Sequence, residues 1–289
     1  MNQEVQTWKC GRCVVSLEKP VLVGILNTTP DSFSDGGEYV SHDLAVAHAL
    51  KLIDAGASII DVGGESTRPG ASRVPAEVQI ARTQSVIQAI RDKSEVSISI
   101  DTTLSAVARE AIKVGANIIN DVASGQEDAE MFSLAAETGV GIVLMHRRLP
   151  PELDSFSDQY EIKPQSDNIV DEVKQWLLNR AEMAQGIGIC MSAIALDPGF
   201  GFGKSIEQNC QLVQAGRDFV KTGYPIYVGL SRKSFIGSMS GIDDVKRRDA
   251  VSATAALKMS REGVQIFRVH NVAEHVRVLQ STPQPNTNI

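Results

Sequence analysis

The chain has 289 residues, of which 43% are hydrophobic and 22% are charged, and its formal net charge is −7. This composition is typical of a soluble globular protein, and the acidic excess disfavours nucleic acid and anionic membranes as partners. Residues 1–9 are polar and the longest apolar runs are far too short to cross a bilayer, so we expect a cytoplasmic protein without a secretory signal or membrane span.

The first residues predict a short β-hairpin, at about residues 5–17, with a Cys-x-x-Cys sequence at its turn. A second such pair would indicate zinc, and a following helix would indicate a thioredoxin-like site. Here Cys190 and Cys210 are isolated, and a β-like run follows Cys13. We therefore interpret Cys10 and Cys13 as ordinary thiols of a hairpin.

Beyond the hairpin, eight apolar runs alternate with eight segments of helical periodicity. The predicted strands are 21–25, 58–62, 96–100, 117–119, 141–145, 193–196, 226–229 and 265–269. The predicted helices are 43–55, 77–91, 104–114, 129–138, 168–185, 206–215, 247–262 and 273–279. Eight such units predict an α/β fold, a single (β/α)8 TIM barrel domain over about residues 1–280, with a disordered tail at 281–289. A doubly wound sheet is the alternative, but it usually carries a glycine-rich loop after its first strand, and here the loop that begins at Asn27 has no glycine until Gly36.

Polar side chains follow directly after most of the predicted strands. They are Asn27, Asp101, Asn120, Asp197, Lys233, Arg268 and His270. The carboxyl ends of barrel strands meet at one face, so we expect these groups to converge there. Carboxylates and amides accept hydrogen bonds from the N–H groups of a planar heterocycle, and Lys233 can donate to its carbonyl or ring nitrogen. Helix capping by Asp101 and Asp197 and a turn role for Asn27 are the alternative interpretations.

Three loops add to this predicted site. The loop 28–37 contains Phe33 and has the composition of a mobile lid, although an ordinary surface loop fits equally. Arg68 lies in a loop bounded by glycines and offers a planar fork of donors to a carboxylate or phosphate, with a solvated arginine as the alternative. The segment 198–205 lacks the first glycine of a nucleotide-binding loop, so its three glycines predict close backbone approach to a flat ligand, with Phe202 as a wall.

Several of these segments are similar to one known family. They are GILNTTPDSFSDGG (24–37), DVGGESTRPG (61–70), DT (101–102), INDV (119–122), LDPGFGFGK (196–204), SRKS (231–234) and RVH (268–270). In this order they resemble the dihydropteroate synthases, folate-pathway transferases that sulfonamides block. The resemblance implies a homodimeric (β/α)8 barrel that uses Mg²⁺. It also implies the condensation of 4-aminobenzoate with (7,8-dihydropterin-6-yl)methyl diphosphate to 7,8-dihydropteroate and diphosphate.

The resemblance also implies a role for individual positions. The pterin-binding set is Asp101, Asn120, Asp197 and Lys233, the diphosphate and metal set is Asn27, Thr67, Arg268 and His270, with Asn27 as the metal ligand, and the aminobenzoate pocket is Phe33, Arg68, Pro69 and Ser234. Further substrate contacts are expected at Met145, Phe202, Gly229 and Val269. Asp101, Asp197, Lys233 and Arg268 are the predicted catalytic residues. Diphosphate would leave from a carbon on an electron-rich ring, so that a delocalised cation forms before the arylamine attacks.

One region departs from the family pattern, and two other functions remain as alternatives. After His146 the usual Gln-Gly-x-Pro stretch is replaced by RRLPPE within a long loop, where Arg147 or Arg148 could change sulfonamide sensitivity or substrate access. A pterin-dependent methyltransferase, which moves a methyl group from a folate to a corrinoid protein, would share Asp101, Asn120 and Asp197. It would not need the aminobenzoate loop 67–69 or the anion pair Arg268 and His270, whose presence disfavours it. A catalytically silent paralogue that binds a pterin is the second alternative.

Overall fold

The computed structural model describes residues 6–29 and 37–280, with side chains at 6–29 and 42–280. Phe33 and the tail 281–289 therefore lie outside the described residues, and the predictions made for them stay predictions.

The N-terminal hairpin closes the end of the barrel where the strands begin, which we call the floor. Strands β1 (Thr7–Cys10) and β2 (Cys13–Ser16) pair antiparallel, with Cys10 opposite Cys13, as the sequence predicts. Trp8 and Cys10 are fully buried, and the Trp8 indole Nε1 donates to the carbonyl of Ala193 at 2.9 Å. All four cysteines are free thiols, and Cys10 packs as an apolar residue among the inward-facing side chains of the strands above it.

The eight predicted strands are present and run parallel. They are β3 (Val21–Asn27), β4 (Ile59–Gly63), β5 (Ser97–Asp101), β6 (Ile118–Asp121), β7 (Gly141–Met145), β8 (Ile194–Asp197), β9 (Tyr227–Val228) and β10 (Ile266–Val269). Their hydrogen-bonded order is β8-β7-β6-β5-β4-β3-β10-β9, and a parallel bridge between Leu196 and Ile226 joins β8 to β9. The sheet thus closes on itself, which confirms the predicted barrel.

Helices surround this cylinder. They are α1 (Gly37–Asp54), α2 (Ala76–Arg91), α3 (Ser105–Lys113), α4 (Glu130–Thr138), α5 (Ile169–Ile187), α6 (Ile206–Gln214), α7 (Gly216–Val220), α8 (Ser234–Ser240), α9 (Asp249–Arg261) and α10 (Val272–Gln280). The short helices α7 and α8 were not predicted, because neither is long enough to show a helical period in the sequence. The strand predicted at 226–229 shrinks to two residues, which leaves Gly229 outside it.

Side-chain alternation along the strands separates two layers of the core. Leu26, Val62, Ile100 and Ile119 are each 0% exposed and belong to the layer between strands and helices. The residues between them face the barrel axis, since successive strand residues point to opposite sides. Polar residues therefore enter the barrel only where this alternation turns them inward. Within the described ranges, no helix is both long and apolar enough to span a bilayer.

We expect Gly141→Ala to destabilise the barrel floor. An added Cβ would lie 2.8 Å from Cys10 Sγ and 3.2 Å from the Trp8 ring, so the hairpin would have to shift. Overpacking of this kind costs about 1–3 kcal/mol of the free energy of unfolding, which urea denaturation measures. Gly186→Ala in α5 is the control, because its Cβ would meet nothing within 4 Å and alanine favours a helix. Equal stability of the two variants would contradict the packing described for the floor.

Candidate active site

A row of residues lies at the carboxyl ends of four neighbouring strands, at the open end of the barrel that we call the mouth. The registers align Asn27 with Gly63, Gly63 with Asp101, and Asp101 with Asn120. A Cβ at Gly63 would lie 3.6 Å from Asp101 Cβ and 3.7 Å from Asn27 Oδ1, so the glycine leaves space between these two side chains. Asn27, Asp101 and Asn120, which the sequence predicted to converge, therefore lie side by side.

Arg268 ties the last strand of the barrel to this row. Its Nε donates to Asp61 Oδ2 at 2.6 Å and its Nη2 donates to Asp101 Oδ2 at 2.6 Å. Asn120 Nδ2 donates to the same Asp61 oxygen at 3.2 Å. Asp61 is 0% exposed and Asp101 is 5% exposed, so the guanidinium balances two buried carboxylates. The predicted anion-binding arginine is thus held in place by two acids.

Asp61 is a site residue that the sequence reasoning did not assign. It lies in the middle of β4 rather than at its end, two residues before Gly63, so it faces the barrel axis. The available signal was a carboxylate inside a short apolar strand, since ionised side chains are almost never fully buried without a partner.

Several buried oxygens at this place have no hydrogen-bond partner within the described part of the chain. They are Asp61 Oδ1, Asp101 Oδ1, Ser99 Oγ and Tyr227 Oη. Most buried polar atoms in proteins are paired, so such a cluster indicates where the polar groups of a ligand can be bound, with the carboxylates accepting and the hydroxyls donating or accepting. The fully buried Tyr227 lies on β9, across the barrel from Ser99, which places this polar layer directly below the mouth.

Burial shifts the pKa of the carboxylates at the mouth upward. It raises the pKa of Asp101 to about 7, against the opposing effect of Arg268. It raises the pKa of Asp197 to about 6, against the hydrogen bond from the Gly199 N–H at 2.7 Å and the charge of Lys233. The carboxylates are therefore near the point where a change of pH or of neighbouring charge alters their protonation.

The pKa values of the basic groups at the mouth are also shifted. Burial and then Arg268 lower the pKa of Lys233 to about 8. Burial also disfavours the charge of Arg268, but Asp61 and Asp101 outweigh it and raise the pKa of Arg268. Burial and nearby arginines lower the pKa of His270 to about 3, and its Nδ1 lies 3.0 Å from Ser231 Oγ. His270 is therefore neutral at pH 7, so its imidazole offers an N–H donor but no positive charge.

Lys233 enters the site from an unusual backbone turn. The residue before it, Arg232, has a φ of 63° and is held by bonds of 2.7 and 2.8 Å to the Asp249 carboxylate. Lys233 Nζ lies 4.1 Å from the centre of the Phe202 ring, a cation–π contact. A Cβ at Gly201 would lie 3.2 Å from Lys233 Cδ, so this glycine makes room for the lysine.

A second lysine supports the loop that follows β8. Lys204 is fully buried and donates to the carbonyls of His146, Gly199 and Phe202 at 3.1, 2.8 and 3.0 Å. Burial lowers its pKa to about 7. Three donors matched to three carbonyls identify Lys204 as a support of the loop, which positions Phe202 and the strand end that carries Asp197.

The helix-capping alternatives for the two aspartates are wrong. Helix α3 has Leu104 at its N-cap position with no side-chain cap, and the Ser105 N–H donates to Asp128 instead of Asp101. Helix α6 is capped by Ser205 in a capping box. Neither Asp101 nor Asp197 therefore caps the following helix, and both side chains lie at the mouth.

The remaining predicted residues differ in how far they are buried. Thr67, Pro69, Gly229 and Ser234 are half-buried around the mouth, and Arg68 is exposed. Met145 and Phe202 are buried together in a small apolar cluster beside them. Val269 differs, because its neighbour Arg268 faces the axis and Val269 packs in the layer between strands and helices. Its side chain points away from the mouth, and the substrate contact predicted at Val269 stays a prediction.

The unusual arginines after β7 both pair with carboxylates. Arg147 contacts Glu127, which also contacts Arg73 from the loop after β4. Arg148 Nη2 lies 2.7 Å from a Glu172 oxygen of α5. Each of these two arginines is thus paired with a carboxylate of a neighbouring loop or helix.

A barrel mouth with carboxylates, amides and cations around a layer of unpaired acceptors defines a barrel enzyme site for a flat, nitrogen-rich ring beside an anion. Comparison with known proteins agrees with this class. A family described as "Pterin binding enzyme" matches residues 23–270. A dihydropteroate synthase of Escherichia coli (strain K12) is 41% identical over 277 residues, 95% of each chain.

Solved structures of dihydropteroate synthases are also similar to this chain. A Xanthomonas albilineans dihydropteroate synthase with 4-aminobenzoic acid has a TM-score of 0.87 at 37% identity, covering 96% of this chain and 99% of that one. A Xanthomonas albilineans dihydropteroate synthase in complex with 7,8-dihydropteroate has a TM-score of 0.84 at 34% identity, covering 96% and 100%. The chain therefore belongs to the dihydropteroate synthase family of pterin-binding enzymes.

Proposed function

We propose that this protein joins 4-aminobenzoate to (7,8-dihydropterin-6-yl)methyl diphosphate, forming 7,8-dihydropteroate and releasing diphosphate. The observation that carries the proposal is the contact of Arg268 with Asp61 and Asp101 beside Asn120, because it puts an anion-binding cation next to acceptors for a pterin ring. The family relationship supports the same reaction.

The pterin ring is bound by the acids and amide of the mouth. Its amino and ring N–H groups donate to Asp197 and Asp101, and Asn120 both donates and accepts. Lys233 donates to the ring carbonyl or a ring nitrogen, while its alkyl chain lies against Phe202. Carboxylates near the ring also stabilise the positive charge that develops on it when diphosphate leaves.

The departing diphosphate is stabilised by the groups at the end of β10. Arg268 supplies charge and a planar pair of donors, and neutral His270 supplies a hydrogen bond. As negative charge builds up on the leaving oxygen, a preorganised cation lowers the barrier by several kcal/mol, on the order of the effect of an oxyanion hole.

Mg²⁺ is expected from the family resemblance, and the residues present fit it. Among residues 6–29 and 42–280 there is no group of three His, Cys, Asp or Glu side chains that could hold a metal ion. Mg²⁺ commonly takes one or two protein oxygens and completes its shell with water and substrate phosphate. The amide oxygen of Asn27, beside Gly63, suits the single protein ligand, and a bound ion would neutralise charge on the leaving group.

The arylamine is held by the loops that follow β4 and β9. Arg68 and Ser234 suit its carboxylate, and Pro69 offers an apolar edge. Phe33 belongs to the same proposed pocket. The arylamine nitrogen is unprotonated at neutral pH, so positioning matters more than a strong base. A sulfonamide has the same shape and is expected to compete with it.

We further propose that the protein acts in the cytoplasm as a homodimer, as the family relationship suggests. Sedimentation at micromolar concentration tests the second point, and a monomer that keeps full activity would contradict it.

Diphosphate release that depends on 4-aminobenzoate tests the proposed reaction. The protein, the pterin diphosphate and Mg²⁺ should release diphosphate and form dihydropteroate only when 4-aminobenzoate is added. A pterin-dependent methyltransferase or a silent pterin-binding protein would release none. Loss of this activity in Asp101→Ala, Asp197→Ala and Lys233→Ala would assign it to the mouth, whereas near wild-type activity in all three would refute that assignment.

We expect a bell-shaped pH dependence of kcat/KM for the pterin diphosphate, with an acidic limb between about 6 and 7, set by Asp197 and Asp101, and a basic limb near 8. Protonation of Asp197, whose pKa is raised to about 6, removes an acceptor for the ring as the pH falls. Deprotonation of Lys233, whose pKa is lowered to about 8, removes a charge as the pH rises. Lys233→Arg should shift the basic limb upward, because arginine does not deprotonate in proteins. A flat profile between pH 5 and 9 would contradict both assignments.

A further inference from the structure

The long loop between β7 and α5, residues 146–168, touches both walls of the proposed arylamine pocket. On one side the carbonyl of Pro151 accepts a hydrogen bond from the Gly70 N–H at 2.7 Å, next to Pro69 and Arg68. On the other side the Ser157 N–H donates to Ser234 Oγ at 3.2 Å. This β7–α5 loop is also the segment whose sequence departs from the family pattern.

The loop is fixed where it makes these contacts. Asp154 is buried, and its carboxylate accepts from the Gly203 N–H at 2.9 Å and from the Tyr160 hydroxyl. Ser157 is buried as well, and its own Oγ accepts from Asn209 Nδ2 at 3.1 Å. The Ser157 N–H is therefore held at a constant place relative to the start of α8.

This contact decides what the Ser234 hydroxyl can do. A serine hydroxyl has one proton to donate and two lone pairs that accept. The Ser157 N–H occupies a lone pair, so the hydroxyl proton is turned away from it and remains for an acceptor in the mouth. Without that N–H, the hydroxyl could rotate and direct its proton to neighbouring carbonyls.

We propose that Ser157 of the β7–α5 loop is a positioning residue, whose backbone N–H orients the Ser234 hydroxyl as a donor to the carboxylate of the arylamine. The loop is then a specificity-determining element for the arylamine and its sulfonamide analogues, not for the pterin. This inference rests on the proposed function, because it assigns the arylamine to the Ser234 side of the mouth.

A pair of substitutions isolates the N–H. Ser157 is the second residue of a turn closed by the Gln159 N–H and the Phe156 carbonyl at 2.8 Å, a position where proline is favoured. Ser157→Pro removes the N–H, and Ser157→Ala keeps it. Both lose the bond from Asn209, and they differ in the N–H and in the ring that proline puts in its place, so the comparison is repeated without the Ser234 hydroxyl.

Relative to Ser157→Ala, Ser157→Pro should raise the KM for 4-aminobenzoate and the inhibition constant of a sulfonamide about 5-fold, the effect of one hydrogen bond. The KM for the pterin diphosphate and kcat should stay within about 2-fold, because the pterin is bound by other residues. In a Ser234→Ala background the two substitutions should give equal KM values, since the acceptor is gone.

Equal KM values of the two variants with Ser234 present would overturn the proposal. A parallel rise in the pterin KM would also overturn it, because the loop would then be only a structural support. If Ser157→Pro does not fold, Ser157→Gly, which loosens the backbone that holds the N–H, should raise the arylamine KM alone relative to Ser157→Ala, with the exposed Ile162→Gly of the same loop as its control. A wild-type protein that forms no dihydropteroate would instead refute the proposed function.

Discussion

Arg268→Ala is expected to lower kcat/KM by at least about 10³-fold and to destabilise the fold by about 3–5 kcal/mol. The catalytic loss follows because the leaving diphosphate loses its main cationic donor. The loss of stability follows because Asp61 and Asp101 are buried and would lose the cation that pairs with both of them. Product formation and urea unfolding of the same protein measure the two effects.

The stability loss should depend on pH with a defined sign. Burial already raises the pKa of Asp101 to about 7, and removal of the guanidinium raises it further. A group with a raised folded-state pKa stabilises the fold at low pH and loses that contribution as the pH rises through the folded value. The variant should therefore be least stable, relative to wild type, above pH 7, and closer to wild type at pH 5.

Arg268→Lys is the control that separates charge from geometry. A lysine retains the positive charge but not the planar fork, so it should recover stability more than activity. Wild-type activity in the lysine variant would contradict the role of the fork. An alanine variant as stable as wild type at pH 8 would contradict the neutralisation of two buried carboxylates.

Asp197→Asn is expected to lower the activity but to raise the stability of the fold. Activity should fall by about 10²–10³-fold, because an amide accepts more weakly from the pterin N–H groups and does not stabilise positive charge on the ring. The free energy of unfolding at pH 8 should rise, by on the order of 2 kcal/mol, because the neutral amide avoids burial of a charge. The amide oxygen can still accept from the Gly199 N–H, so the loop after β8 keeps its position.

The pH range in which Asp197→Asn is more stable than wild type follows from the pKa of Asp197. Burial raises it from 3.8 to about 6, so the carboxyl stabilises the fold below pH 4 and loses this contribution as the pH rises through 6. Unfolding experiments should show the variant more stable than wild type at pH 8 and equal to it at pH 4. Asp218→Asn, at an exposed position on α7, is the control and should change neither activity nor this window. A variant that is less stable at pH 8 would contradict the account of the buried charge.

The barrel and much of the mouth could be predicted from local sequence patterns. Apolar runs followed by Asn27, Asp101, Asn120 and Asp197 mark strand ends, and parallel strands bring their ends to one face. No partner needs to be known for that step, so the order of elements and the convergence of these groups follow from the chain alone.

Other features depend on contacts that only the closed barrel creates. Asp61 escaped assignment because its role arises from Arg268, 207 residues away on the neighbouring side of the barrel. The neutral state of His270 arises from burial and from arginines of other loops. The contact of Ser157 with Ser234 joins two loops that the sequence separates by 77 residues, and neither local pattern indicates it.

A crystal structure with the pterin diphosphate bound tests the central claim most directly. The account predicts that the ring lies within hydrogen-bond distance of Asp101, Asn120 and Asp197, with the diphosphate at Arg268 and His270. A ring bound elsewhere, or a diphosphate on the opposite side of the mouth from Arg268, would contradict it.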